Sequence, residues 1–301
     1  METLTNSTNP KIKQIRALRP RKQRDTTGLV VGEGIRHVGE AAEACRAAEA
    51  SGAAEACRAA EASRAAEACR AVEASGAAEA GWLEYLCYCP DLLTSDFARE
   101  IIQKQEKRGL PCYAVSEATF ETLAEKDNPQ GILAVARQRH LQLNELTPDR
   151  FSWGVALVAP QDPGNIGAIL RTIDAVGASG LLLLNSSVDP YHPSAVRASM
   201  GSLFWYPVVT ATFDEFTRWV KRHGYHVYGT SARGSVPASQ VPRYTRPAVL
   251  LMGSEREGLS EEQRAACETL IRLPMNGRVT SLNLAVATGI MLYEMLGILE
   301  G

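Results

Sequence analysis

The sequence predicts an α/β protein in two parts: a small α/β unit, then a larger one built on a mostly parallel sheet. Three observations carry this. From residue 151 onward, short apolar runs alternate with amphipathic helical patterns, the order that a parallel sheet flanked by helices requires. At 301 residues the chain exceeds a typical domain of roughly 100–200 residues and has room for two cores. Between the parts, 138–150 is polar and closes with Thr147-Pro148-Asp149, the composition of a linker. The expected divisions are therefore 1–137, a linker over 138–150, and 151–301.

In the first part, the apolar run at 28–32 reads as a strand leading to a helix near 35–38. Apolar residues return at 83–89, helical patterns follow at 96–107 and 117–125, and 131–136 (GILAVA) reads as a buried strand. Between these lies an anomaly. Residues 41–82 repeat one hexapeptide seven times, from AAEACR to AAEAGW. Six copies account for 36 residues and leave 265 for the rest of the chain. Ala, Glu and Arg favour a helix, and pairs such as Glu43 and Arg46 stand three apart. A six-residue period turns about 240° per copy, however, so no side-chain type forms a stripe, and a coiled coil is not expected. The repeat reads as a tolerated Ala-rich insertion, projecting from the unit; the alternative is that it binds a partner.

In the second part, strands are expected at 154–159, 180–184, 225–228, 248–252 and 269–273, with helices at 166–176, 213–223, 261–267 and 283–299. Ile166, Ile169, Leu170, Ile173 and Val176 form one face of the first of these helices. No apolar stretch of about 18 residues occurs, so no membrane partner is expected, and the polar start lacks the apolar core of a secretory signal.

Net charge is −2, which by itself carries no nucleic-acid signature. Its distribution is uneven. Within 1–30, Lys11, Lys13, Arg16, Arg19, Arg21, Lys22 and Arg24 face only Glu2 and Asp25. Such a run is either a solvated face or a phosphate-contacting arm. The seven cysteines include Cys45, Cys57 and Cys69 of the repeat, which point three ways on a helix, and Cys87 and Cys89, which lack a second pair. No metal is implied. The odd count and the missing signal favour a cytoplasmic protein.

In parallel α/β sheets ligands sit in the loops beyond the carboxyl ends of the strands. Three such loops are unusual. The first reads Pro160-Gln161-Asp162-Pro163-Gly164-Asn165-Ile166-Gly167; Asn165 is expected to cap the following helix, with Arg171 one turn inside it, off the apolar face. A cation near a positive helix end is either a surface arginine or the partner of a bound anion. The second runs from Gly253 through Glu255 to Gly258 and Leu259, with Ser260 and Gln263 spaced as a capping box. The third runs from Leu273-Pro274-Met275 through Gly277 to Ser281-Leu282-Asn283, where the polar residues either cap the last helix or serve a site. No G-x-G-x-x-G follows a strand, no GxxxxGK[ST] occurs, and neither HExxH nor a G-x-S-x-G elbow is present.

In order and wording these loops resemble the SpoU (TrmH) family of RNA ribose 2′-O-methyltransferases, of the SPOUT class. The resemblance rests on Asn165-x-Gly167-x-x-x-Arg171-Thr172, Gly253-x-Glu255-x-x-Gly258-Leu259, Pro274-Met275-x-Gly277-x-x-x-Ser281-Leu282-Asn283, and Arg197-Ala198-Ser199-Met200-Gly201-Ser202. The first part is similar to the family's small ribosomal-protein-like RNA-binding domain, at Asn9-Pro10-Lys11-Ile12-Lys13 and Val31-Gly32-Glu33-Gly34. The resemblance implies a trefoil knot in 151–301 and a homodimer through that domain. It implies S-adenosylmethionine held at Thr230, Ser231, Gly253, Leu273, Met275 and Leu282. Arg171, Asn165, Glu255, Ser281 and Asn283 would be the catalytic set, and Arg171, Arg197, Lys11, Lys13 and Arg16 the RNA contacts. A guanidinium loses its proton only above about pH 12, so Arg171 is expected to position phosphate and stabilise charge rather than act as a base. Ribosomal RNA is the favoured substrate and transfer RNA the second. Other readings are a non-catalytic, ribosome-associated RNA-binding protein, which would not bind the cofactor, and a nucleotide-dependent enzyme, which would bind NAD or ATP instead.

Overall fold

A computed structural model of the chain describes residues 2–4, 8–62, 81–125, 127–231, 234, 236–241 and 244–299. It divides into two compact units, Met1–Gln138 and Arg139–Gly301.

The first unit is built on a mixed sheet of β1 (Glu2–Leu4), β2 (Leu29–Glu33), β3 (Leu83–Tyr88), β4 (Cys112–Val115) and β5 (Ile132–Arg137), in the order β1-β4-β3-β5-β2. β5 runs antiparallel to both neighbours, while β4 is parallel to β1 and β3. Helices α1 (Pro10–Ala17), α2 (Arg21–Thr27), α3 (Ile35–Ala62), α4 (Asp96–Lys107) and α5 (Glu117–Leu123) complete the unit. Ile12, Ile15 and Leu18 pack with Tyr85, Cys87, Leu133, Val135, Phe120 and Leu123 into one core. β1 and β4 have no counterpart in the sequence reading, because three or four residues carry too little periodicity.

Much of the basic run has structural work. Arg24 is buried, and its guanidinium donates to the Leu18 carbonyl at 2.8 Å and to the Arg19 carbonyl. Arg19 donates to the carbonyls of Thr122 and Ala124 at the end of α5. Arg16 donates to the Thr122 hydroxyl, and Lys11 lies 4.4 Å over the Tyr85 ring. Lys13 remains exposed.

The repeat begins inside the unit. α3 carries its first copies, and Ala41, Ala42, Ala44 and Cys45 of the first are buried. Glu43 accepts from Lys104 at 2.9 Å and pairs with Arg46 at 2.6 Å, which holds its carboxyl below the usual range; Glu49, its equivalent in the second copy, pairs with Arg108 at 2.5 Å. Six surplus copies were expected, yet identical sequence meets different surroundings here, and these two copies are anchored. Residues 63–80, with Cys69, lie outside the described part. Where the chain resumes, Gly81 lies so close to Glu49 and Cys45 that a Cβ would stand 2.2 Å from the Glu49 carboxylate.

The second unit carries a seven-stranded sheet, every adjacent pair parallel, in the order β10-β12-β9-β11-β6-β7-β8. Its strands are β6 (Trp153–Val158), β7 (Leu181–Leu184), β8 (Val208–Ala211), β9 (His226–Thr230), β10 (Val236–Pro237), β11 (Ala248–Met252) and β12 (Thr269–Arg272). Every residue of β6, β7 and β11 is buried, as expected of parallel strands covered on both faces. The helices are α6 (Pro163–Val176), α7 (Pro193–Ser199), α8 (Phe213–His223), α9 (Glu261–Ala265) and α10 (Leu284–Leu299). The sequence reading missed α7 and β8, which are short. Among the described residues no helix is long and apolar enough to cross a membrane.

The expected linker is corrected. Residue 137 ends β5, and Leu143 and Leu146 are buried in the second unit's core with Phe151, Phe216, Trp219 and Tyr225. The Trp219 indole donates to the Leu146 carbonyl at 2.9 Å and the Tyr225 hydroxyl to the Phe151 carbonyl at 2.6 Å. Polar composition hid three spaced leucines, Leu141, Leu143 and Leu146, which turn inward.

Gly167 shows why its motif needs glycine. A Cβ there would lie 2.3 Å from the Ala195 carbonyl oxygen and 2.7 Å from the Ala198 methyl, so α7 rests directly on the α6 backbone. Gly167→Ala is expected to cost about 1–3 kcal/mol, read as a lower urea midpoint with unchanged slope. Deleting 53–76, which spares both anchored copies and Gly81, is expected to leave the melting temperature unchanged. A lowered melting temperature would show that the deleted copies are part of the folded unit.

Candidate active site

Four strands that are neighbours in the sheet, β12, β9, β11 and β6, deliver their carboxyl ends to one edge. The three unusual loops leave from three of them. After β6, Ala159 adopts a left-handed backbone (φ 44°), and Asp162, not Asn165, caps α6, accepting from the Gly164 amide at 2.8 Å with Pro163 in the first turn. The signal was present in the sequence, since an acidic cap followed by proline is a strong helix start. The correction matters twice. It frees the Asn165 side chain, and it places Arg171 more than two turns inside α6 rather than one.

After β11 the chain makes a tight turn in which Ser254 and Gly258 exchange backbone hydrogen bonds of 3.2 and 3.0 Å. Gly258 has φ 68°, and a Cβ on Gly253 would lie 2.1 Å from the Gly258 carbonyl carbon. Both glycines are therefore steric requirements of the turn that presents Glu255. The Ser260–Gln263 capping box forms as expected and starts α9. After β12 the chain runs to Asn283, whose Oδ1 accepts from the amides of Ala285 (2.9 Å) and Val286 (3.2 Å) at the start of α10.

A directional chain of hydrogen bonds joins the three loops. Because Asn283 Oδ1 is held by α10, its Nδ2 faces outward and donates to Asn165 Oδ1 at 3.0 Å. Asn165 must then present Nδ2, which donates to Glu255 at 3.4 Å. Glu255 also accepts from the Gln161 amide at 3.2 and 3.3 Å. Asn165 is 7% exposed, so these partners replace water.

Beside this chain opens a cavity of about 540 Å³, within the ordinary range for small-ligand sites. All six residues expected at a cofactor, Thr230, Ser231, Gly253, Leu273, Met275 and Leu282, line it, as do Glu255 and Ser281. Ala232, beside them in sequence, lies outside the described residues. Asn165 and Asn283 are not in the lining; their positions make them supports of the wall. Arg171 is exposed on α6 and not in the lining either, and it has no hydrogen bond or ion pair among the described residues. Arg197 is exposed in the last turn of α7. Ser281 lines the cavity without capping α10, a role Asn283 fills. Arg256, in the turn after β11, and Arg264, on the short α9, also line the cavity and were missed, because nothing in an exposed turn or a short surface helix marks one arginine.

The lining suits a nucleoside cofactor. Leu273, Met275 and Leu282 offer apolar surface, Leu282 being 39% exposed, and Thr230, Ser231 and strand-end backbone offer polar groups. Among the described residues no three His, Cys, Asp or Glu side chains gather, and burial pushes the Cys87, Cys112 and Cys267 thiols up to about 12.

A parallel sheet with such a cavity at its carboxyl edge defines an α/β enzyme domain that takes a nucleoside-type cofactor. Residues 152–293 match the SpoU rRNA Methylase family; 9–78 match an MRM3-like substrate binding domain, and 91–142 an RNA 2′-O ribose methyltransferase substrate binding domain. A 23S rRNA (guanosine(2553)-2′-O)-methyltransferase of Bacillus subtilis is 31% identical over 68% of this chain and 84% of its own. A 23S rRNA (uridine(2479)-2′-O)-methyltransferase of Streptomyces viridochromogenes is 33% identical over 71% and 76%. An AdoMet-bound rRNA methyltransferase from Sinorhizobium meliloti superposes with a TM-score of 0.77 at 34% identity, covering 98% of this chain and 97% of that one. The chain belongs to the SpoU rRNA methylase family.

Asn165→Ala removes the acceptor of Asn283 Nδ2 and the side-chain donor to Glu255, and is expected to cost about 1–3 kcal/mol in urea denaturation. Ser281→Ala, whose hydroxyl has no partner among the described residues, is expected to leave stability unchanged. Equal losses in the two variants would contradict the hydrogen-bonded chain.

Proposed function

We propose that this protein methylates a ribose 2′-hydroxyl in ribosomal RNA, using S-adenosylmethionine. The observation that carries the reading is the cavity at the carboxyl edge, lined by Thr230, Ser231, Gly253, Leu273, Met275 and Leu282, in a chain whose relatives are named for that reaction. When bound, the cofactor supplies a methyl group on a positively charged sulfur, open to direct displacement by the ribose oxygen. Leu273, Met275 and Leu282 take up the adenine and exclude water from it. Glu255, fixed by Gln161 and Asn165, holds the cavity wall in a single position, so that the reacting groups meet without further ordering. Ser281 faces the same space with a free hydroxyl for substrate. Arg171, exposed and without a partner among the described residues, holds a phosphate of the RNA and offsets negative charge as the hydroxyl proton passes to solvent.

The same proposal assigns the remaining parts. Residues 1–137 form the RNA-binding domain, with the exposed Lys13 contributing a cation and Lys11 and Arg16 contributing around their internal contacts; Arg197 adds a contact from the second unit. Within the repeat at 41–82, the copies between the two anchored ones and Gly81 are an insertion in that domain. The threaded knot is supported by chain order: after edge-side β12 the chain returns to pack α10 on α6 and β11. A homodimer through 151–301 is supported by the apolar face of α10, where Val286, Ile290 and Tyr293 are 51%, 41% and 57% exposed beside a groove shared with Thr172 of α6. The protein works in the cytoplasm, where ribosomal RNA is made available.

Mapping 2′-O-methyl sites in RNA from a strain lacking the gene tests the substrate. One ribosomal site is expected to vanish and to return with the wild-type gene but not with Arg171→Ala. Loss of a transfer RNA site instead would replace the substrate assignment. In binding experiments Arg171→Ala is expected to keep its affinity for S-adenosylhomocysteine, and turnover by this variant on the mapped RNA would overturn the role given to Arg171.

A further inference from the structure

The cavity has two kinds of lining. Leu273, Met275 and Leu282 are apolar, whereas Arg256, Glu257 and Arg264 are charged. An adenosine is served by that apolar surface together with the hydroxyls of Thr230 and Ser231 and strand-end backbone. The charged groups require their own account.

Arg264 is the distinctive one. It is half-buried on the short α9, and its Nη1 donates to the Leu259 carbonyl, which fixes the guanidinium against the loop after β11. That bond uses one of five donors. Among the described residues Arg264 has no carboxylate partner, although Glu261 and Glu262 belong to the same helix. A guanidinium held still, partly removed from water and unpaired, is costly unless an anion completes it, and its planar fork matches a carboxylate. Arg256 is exposed and has no such anchor. Glu257, exposed in the same lining and without an ion pair among the described residues, has the sign that an ammonium needs.

We infer that Arg264 binds the α-carboxylate of the cofactor's amino-acid portion. This rests on the cofactor reading above and adds to it a residue that distinguishes the whole cofactor from its bare nucleoside. The anchor at Leu259 presets the guanidinium, so binding orders no additional long side chain.

The test compares two ligands by calorimetry on the full-length protein. S-adenosylhomocysteine carries the amino-acid portion, and 5′-methylthioadenosine lacks it. Wild type is expected to prefer the former. Arg264→Met is expected to weaken S-adenosylhomocysteine by about tenfold or more, the worth of one charge-assisted pair, and to leave 5′-methylthioadenosine unchanged. Arg264→Lys, which keeps the charge without the fork, is expected to recover part of the loss. An equal loss for both ligands would mean that Arg264 only braces the Leu259 loop, and no loss for either would remove it from binding; both overturn the inference while leaving the cofactor reading in place. Failure of wild type to bind either ligand would overturn the cofactor reading itself.

Discussion

The site depends on an orientation that begins in a helix. Two backbone amides at the start of α10 hold Asn283 by its oxygen, and the consequence passes through Asn165 to Glu255, each amide obliged to present the end its neighbour needs. Neither asparagine can flip without setting donor against donor or acceptor against acceptor. Three loops distant in sequence thereby have a shared reference. Buried polar groups are costly when half-satisfied, so this arrangement rigidifies the wall only because each member is paired.

The parallel sheet makes that possible by lining up the strand ends. β6 and β11 are adjacent, and each is buried on both faces, so neither can shift its register without exposing an apolar side chain. The close approaches at Gly167 and Gly253 serve the same end, one bringing α7 onto α6 and the other closing the turn under Glu255. Electrostatics are equally local. From residue 151 on there are 12 basic and 12 acidic residues, so net charge gives this unit no attraction for a polyanion.

The long and strongly patterned elements were legible in the sequence. α4, α8 and β11 were read with the bounds they have, and the apolar stripe of α6 is buried as expected. Six residues of the cavity lining were legible too, through the family resemblance of the segments after β9, β11 and β12. What escaped depends on tertiary context. Asn165 and Asp162 are both good caps, and only the fold decides which one faces the Gly164 amide. Leu143 and Leu146 lie in polar surroundings until Trp219 and Phe151 cover them. Arg24 and Lys13 look alike in a basic run, yet one is buried under carbonyls and the other is exposed. Arg264 had no signal beyond being an arginine, because its meaning comes from the cavity beside it.

The hexapeptide has a consequence beyond this molecule. Its first two copies are tied to α4, and Gly81 of the last copy packs against Glu49 of the second, so the outer copies of the repeat meet at one place in the unit. A gene segment of whole codons repeated in tandem gains or loses units by polymerase slippage without leaving the reading frame. Because the anchors lie in the outer copies, a change in the number of inner units leaves the anchoring residues themselves intact. Natural populations should therefore carry alleles of this gene that differ in length by multiples of six residues while encoding the same enzyme.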